Sequence, residues 1–356
     1  MENPMTINAI LNSISQHRFS TYQTDVFKGA TDEECLGIYL WNKQLASAFL
    51  PALQILEVSL RNAIYQAKIE YEEENIEKKF AAHAWAAKKA EIDRSWFITV
   101  MTAANNLESY RQIDTARRKI TQEGKSHNPE NYIAKLTLGF WVALVDKDYS
   151  IPNATYLTLW PHLRGKVFPN AYDIKGQPLS ITGIGSALRD INKIRNRLSH
   201  HEPLWRKSNT YNVEQAINKI ATDYKKCLDI IRWINPSNLK LLNIIDNADK
   251  VRELCNTHAL WKNKQLPNGI PTLPLMDSDN WCNPLLMISR LNGVITKINI
   301  AGKFAIINCG SEGKDFFAQA SSFSGGIAAY QVSDTVSFEP SSKLSRGLPT
   351  ASTIRH

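Results

Sequence analysis

Two hydrophobic periods, one on each side of a Pro/Gly-rich stretch, constrain this chain more than any single residue does. Before Leu266-Pro267-Asn268-Gly269-Ile270-Pro271-Thr272-Leu273-Pro274, apolar residues recur every three or four positions, as on packed helix faces. Leu36, Leu40, Trp41, Leu45, Phe49, Leu53, Leu56, Leu60 and Ile64 form one such stripe. Ile184, Leu188, Ile191, Ile194 and Leu198 form a second, and Val213, Ile217, Ile220, Tyr224, Leu228 and Ile231 a third. Beyond the break, Gly293–Ile298, Phe304–Ile307, Asp315–Gln319 and Val336–Phe338 read as short strands turned by glycines. The expected fold is therefore mainly α, a helical bundle over residues 1–265. A linker at 266–282, a small all-β barrel over 283–345 and a tail at 346–356 follow.

Local punctuation places the elements more finely. Thr31 or Asp32, with Glu34 behind it, is an N-cap for the first long helix, which Pro51 is expected to kink or restart. The charge run at 70–79 reads as a solvated helix end or loop. A helical region from Ala84 to about Gly124 carries Lys88, Lys89, Arg94, Arg111, Arg117, Arg118 and Lys119, either a solvated face or an RNA-facing strip. Asn128-Pro129-Glu130 caps the helix bearing Leu138, Phe140, Trp141 and Leu144, and a last helix is expected from Pro236 to about Cys255. Trp160-Pro161-His162-Leu163 reads as packing, with His162 able to approach a site.

Composition narrows the partners. The 356 residues are 43% hydrophobic, enough for real cores, and 42 basic against 34 acidic side chains give a net charge of +8, which suits a polyanion. Cys35, Cys227, Cys255, Cys282 and Cys309 show no CxxC spacing and are odd in number, as for reduced thiols, so neither a metal nor a cofactor is expected. No apolar run reaches the roughly 18 residues of a membrane span, and no signal peptide is read at Met1–Thr6. A cytoplasmic protein is the expectation.

Chemistry concentrates in Ile194-Arg195-Asn196-Arg197-Leu198-Ser199-His200-His201-Glu202-Pro203. Pro203 disfavours helix at Glu202, so the second stripe's helix should stop near His201 with His200 in its last turn. There the helix dipole favours imidazolium and suits proton transfer near neutral pH. Asn196, one turn below, is within reach to orient the His200 ring. Arg195 lies five residues before His200, about 140° around the helix. One helix does not close a site around one phosphate; two copies facing each other would. A solvated C-cap is the plainer reading of the same residues.

The word Ile-Arg-Asn-Arg-Leu-Ser-His-His-Glu-Pro resembles the motif of the Abi-like proteins (AbiD/AbiF type), a branch of the HEPN superfamily. Tyr39-Leu40-Trp41-Asn42 through Leu45 to Phe49, Leu56-Glu57-Val58 to Leu60-Arg61-Asn62, and Leu138-Gly139-Phe140-Trp141-Val142 follow the same resemblance in family order. It implies an all-α HEPN-type bundle, a homodimer with a composite cleft, and metal-independent RNA cleavage. Arg195 and His200 would be catalytic and Asn196 supportive, with Glu57, Arg61 and His201 near the cleft. An ordinary i, i+4 ion pair is the other reading of Glu57 and Arg61.

The β region resembles a cold-shock-type OB domain, with Phe304-Ala-Ile-Ile and Asp315-Phe-Phe-Ala-Gln standing where that family has its two RNA-binding signatures. The resemblance implies that Phe304 and Phe317 stack on bases, with Lys297, Lys303 and Lys314 on phosphates. Ile306, Lys297 and Gln319 replace aromatic or histidine positions, and the two phenylalanines could equally be barrel core. Together these resemblances imply a phage-defence ribonuclease of the abortive-infection type, bound to or controlled by a structured RNA. The alternatives are a non-catalytic RNA holder and a helical interaction scaffold.

Overall fold

Thr31 starts the helix on which the N-terminal unit is built: its hydroxyl accepts the Glu34 N–H at 3.2 Å while the Glu34 carboxylate accepts the Thr31 N–H at 3.2 Å, a reciprocal capping box. The computed structural model describes residues 7–23, 25–99, 107–150, 158–205, 210–272 and 290–356. Among them lie fourteen α-helices and five strands: α1 (Ile7–Ile14), α2 (Gln16–Ser20), α3 (Asp32–Lys79), α4 (Trp85–Ala90), α5 (Trp96–Thr99), α6 (Leu107–Gln122), α7 (Pro129–Lys135), α8 (Leu138–Ala143), α9 (Arg164–Val167), α10 (Ile181–Ser199), α11 (Val213–Ile234), α12 (Leu239–Ile244), α13 (Asn247–Leu254), α14 (Thr257–Gln265), β1 (Leu291–Asn299), β2 (Phe304–Cys309), β3 (Lys314–Gln319), β4 (Thr335–Ser345) and β5 (Leu348–Arg355). The chain divides into two compact units, Met1–Leu273 and Pro274–His356. It is mainly α with a small β barrel. No helix among the described residues is long and apolar enough to cross a membrane.

Helix α3 runs 48 residues, about 72 Å at 1.5 Å per residue, straight through Pro51. The kink or restart expected there does not end the helix. The carbonyl that loses its partner belongs to Ser47, an exposed residue that water can reach, while Ala52, Leu53 and Leu56 remain buried just beyond. The charge run at 70–79 is the last turns of this helix, and the basic residues after it find acids there or on their own segments. Lys89 pairs with Glu77 at 2.5 Å and Arg94 with Glu73 at 3.8 Å; Lys88 meets Glu91 at 2.9 Å and Arg118 meets Asp114 at 2.9 Å. Most of these basic residues, readable from the sequence as a solvated face or an RNA-facing strip, are thus in ion pairs.

Other boundaries move for identifiable reasons. The region from Ala84 is not one helix: α4 and α5 are short and separate, and α6 ends before Gly124, whose φ of +65° favours glycine. Asn128 does cap a helix, accepting the Asn131 N–H at 2.9 Å, but that helix is α7; Leu136 turns extended and α8 begins afresh after Thr137. The helix expected over 236–255 splits into a 3₁₀ turn, α12 and α13, because Asp246 sits in the left-handed region at φ +51°. Helix α14, not foreseen, crosses α3 so closely that a Cβ on Gly37 would lie 2.2 Å from the Asn263 carbonyl oxygen. Leu266–Thr272, assigned to the linker, forms a 3₁₀ turn against α1, α3 and α14; linker residues 273–282, Cys282 included, lie outside the described residues.

The C-terminal unit is a closed OB-like barrel in the order β1-β2-β3-β5-β4. Residues 346–356, expected as a tail, form the element that closes it: β5 pairs antiparallel with β4 and parallel with β3, and buries Ala351 and Ile354. The reason is chemical and local. Arg290 donates to the Ser337 Oγ (2.7 Å) and carbonyl (2.8 Å), the Glu339 carboxylate (2.9 Å) and the Thr353 carbonyl, tying the last strand to its neighbour.

Two outcomes check this packing. Gly37→Ala should cost about 2 kcal/mol of unfolding free energy in urea, because two helix backbones must separate to admit the methyl group. Burial pushes the thiols of Cys35 and Cys255 up to about 11 and that of Cys227 to about 12. Iodoacetamide at pH 8 should therefore leave these three largely unmodified in native protein, and label them once urea exposes them.

Candidate functional site

Helix α10 is aimed by its ends and by one glycine. Ser180 caps its start, accepting the Gly183 N–H at 3.1 Å, and Ile184, Leu188, Ile191 and Ile194 face the core against α8 and α11. Gly185 permits the approach: a Cβ there would be 2.3 Å from the Val145 carbonyl oxygen. The helix stops through hydrogen bonds rather than at Pro203 itself. His201 adopts φ +58°, its N–H reaches the Leu198 carbonyl at 3.1 Å, and the Glu202 N–H reaches the Arg197 carbonyl at 2.8 Å. That pair of bonds defines a Schellman turn. The position favours glycine, and histidine there is held at a backbone cost of about 1 kcal/mol.

A second set of bonds pins the chain after the turn. Asn42 of α3, fully buried, accepts the Leu204 N–H at 3.0 Å and donates to the Glu202 carbonyl at 3.3 Å and the Tyr22 hydroxyl at 3.4 Å. Trp205 then stacks on Trp41, centroids 5.4 Å apart, with Tyr22 and Phe27 edge-on. His200 and His201 are consequently presented, exposed, between a Schellman turn and an aromatic lock.

Arg195 meets α3. With Leu198 and Ser199 it lines a cleft of about 480 Å³ whose other wall is Ala46, Ser47, Leu50, Leu53, Gln54 and Glu57. The structure thus brings Arg195 and Glu57 together, and among the described residues neither is in an ion pair. Arg61 lies one turn further along α3, outside that lining; no ion pair joins it to Glu57, and its Nε is buried without a hydrogen-bond partner. His200, His201 and Asn196 are not in the lining either. The hydrogen bond from His200 to Asn196 runs from the backbone N–H to the Asn196 carbonyl at 2.9 Å. His162 is elsewhere: it stacks on Tyr71, about 21 Å along α3 from Glu57.

Lys43, one turn before Ser47, lies 4.8 Å over the Tyr39 ring, and its pKa is lowered by burial and by the nearby Arg18 charge. Among the described residues no three His, Cys, Asp or Glu side chains gather as a metal-binding group. Sequence reasoning missed Lys43 and the part played by Asn42; the usable signal for Asn42 was an amide set among the buried positions Trp41, Leu45 and Phe49.

In the barrel, strand register sorts the remaining candidates. Ala305, Ile307, Cys309, Phe316 and Ala318 enter the core, so Phe304 and Phe317 point outward, stacked on each other at 5.4 Å and 19°. They are not barrel core. Lys297 pairs with Ile306, and Ile306 with Phe317, which places all three in one outer row; Lys303 adjoins Phe304 in the preceding turn. Lys314 pairs with Cys309 at the other end of β2, about 17 Å from Phe304, and does not join them.

A mainly helical unit with an Arg/His-bearing helix end, followed by an OB-like barrel, defines the class of protein. The family model of the Abi-like proteins matches residues 9–206. That is more than half of the chain, and the chain belongs to this family, which points to phage defence by abortive infection. No curated protein and no solved structure gives a match.

Removing the Asn42 clamp tests the construction. Asn42→Ala should leave the Leu204 N–H without a partner, lower stability by about 1–3 kcal/mol, and speed amide exchange at Leu204 well before the helical core opens.

Proposed function

We propose that this protein is a HEPN-type ribonuclease of phage defence, acting in the cytoplasm as a homodimer whose facing α10 helices form one composite RNA-cleaving site. The observation that carries the reading is the open cleft shared by Arg195 and Glu57, beside a helix end that presents His200 and His201. Within one chain the His200 ring does not line that cleft, as expected when a partner's histidine faces each arginine. Leu50 and Val58, 48% and 43% exposed, flank Glu57 on α3 and give a second copy an apolar surface to cover.

The chemistry follows from these groups. An RNA 2′-hydroxyl attacks its own phosphorus, His200 takes that proton, and the 5′-oxygen leaves with a proton returned by an imidazolium. A 2′,3′-cyclic phosphate and a 5′-hydroxyl result. Arg195 offsets the charge on the pentacoordinate phosphorus, Glu57 and Arg61 position it, and His201 and Asn196 support the helix end. Because the nucleophile belongs to the substrate, activity should persist in EDTA. The barrel, through Lys297, Lys303, Phe304 and Phe317, holds a structured regulatory RNA; the position of Lys314 leaves it a peripheral phosphate contact. The separation of His200 and Asn196 from the Arg195 cleft also favours a second reading, in which the same basic surface holds RNA without cutting it.

Purified protein incubated with labelled RNA in EDTA should yield cyclic-phosphate ends. His200→Ala should lower the rate by about 10² to 10⁴ and Arg195→Ala by about 10² or more, with retained binding. Equal cleavage of DNA, or cleavage undiminished in His200→Ala, defeats the nuclease assignment; binding without any cleavage establishes the holder.

A further inference from the structure

The phenylalanine pair on the barrel's outer face is nearly sealed, with Phe304 8% and Phe317 4% exposed although neither belongs to the core. The cover is the β4–β5 hairpin. Ser345 pairs with Leu348, and the two residues between them, Arg346 and Gly347, have φ of +52° and +80°, a tight two-residue turn. Asparagine or glycine is the favoured residue at the first of these positions. Here an arginine holds it, and its guanidinium carbon sits 4.3 Å from the Phe304 centroid and 5.6 Å from that of Phe317. Arg346 is itself exposed and in no ion pair among the described residues.

The rings therefore offer a ligand almost no surface, whereas Arg346 above them is exposed. A guanidinium that lies flat on an aromatic ring keeps its second π face for a nucleobase, the way arginine stacks in nucleic-acid sites. Lys297 and Lys303 are exposed near the same rings and are likewise free of ion pairs among the described residues.

We propose that Arg346, seated on Phe304 and Phe317, is the group on which an unpaired RNA base stacks, with Lys297 and Lys303 meeting the adjacent phosphates. The phenylalanines act as its support rather than as the stacking surface. This rests on the reading of the barrel as RNA-binding and is independent of whether the α10 helix end cleaves.

The probe is a fluorescein-labelled 2′-O-methyl oligouridine, which lacks the nucleophile for cleavage, titrated into full-length protein by anisotropy. Arg346→Ala should weaken binding about tenfold, the scale of one lost base stack. Arg346→Asn, which suits the turn, should weaken it equally and so separates the side chain from the hairpin. Arg346→Lys should keep the wild-type salt slope while recovering less than half of the lost affinity, since it restores charge without a planar face. For an abasic strand of the same length, Arg346→Ala should cost only the part of the affinity that Arg346→Lys restores, because charge is all that is then lost. Wild-type affinity in Arg346→Lys would reduce the residue to a phosphate contact, and unchanged affinity in Arg346→Ala would remove it from the site. Tighter binding in Arg346→Ala would make it a lid over the rings; any of these three overturns the proposal. A failure of the nuclease reading shows instead as absent cleavage of unmodified RNA with these binding differences intact.

Discussion

The Asn42 side chain is the interaction on which the candidate site depends. A buried amide must satisfy its donors and acceptor, and this one does so across the chain, from α3 to the segment that follows α10. Its partners, the Glu202 carbonyl and the Leu204 N–H, bracket Pro203, which supplies no N–H of its own. With Trp205 locked against Trp41, Tyr22 and Phe27, the chain has little freedom between Ser199 and Leu204. The two histidines are held there by groups that never touch a substrate.

Helix α3 connects that clamp to the rest of the site. One surface of it carries Asn42 to the aromatic lock; an adjacent stripe carries Lys43, Ser47, Leu50 and Glu57 past Arg195. Its length comes from a capping box at the start and from an apolar stripe that outweighs the loss of one hydrogen bond at Pro51. Its C-terminal acidic turns pair with Lys89 and Arg94, while Lys88, Arg117 and Arg118 find acids on their own segments. What looked in one dimension like a basic strip is therefore a balanced surface, and unpaired positive charge persists around Lys43 and Arg195 instead.

The barrel shows the same separation between composition and use. Alternation along β2 and β3 decides that Phe304 and Phe317 face outward, and a hairpin contributed by the last residues of the chain decides that they are covered. The strands of an OB-like barrel were legible in the sequence. The covering arginine was not, because residues 346–356 offer little apolar alternation of their own. They become a strand only when Arg290 and the edges of β3 and β4 supply partners.

Much was present in the sequence. The change of hydrophobic period separated a helical unit from a barrel, Thr31 and Asn128 marked true helix starts, and the word from Ile194 to Pro203 marked a helix end rich in chemistry. These features are local: periodicity, caps and proline act within a few residues, so order along the chain suffices to read them. What the tertiary structure alone decided is which residues meet. Glu57 shares a cleft with Arg195, Lys314 lies away from the phenylalanines, and Arg346 lies upon them. Each depends on how two distant segments approach, set by close contacts at Gly37 and Gly185 and by strand register, and no spacing within one segment encodes it.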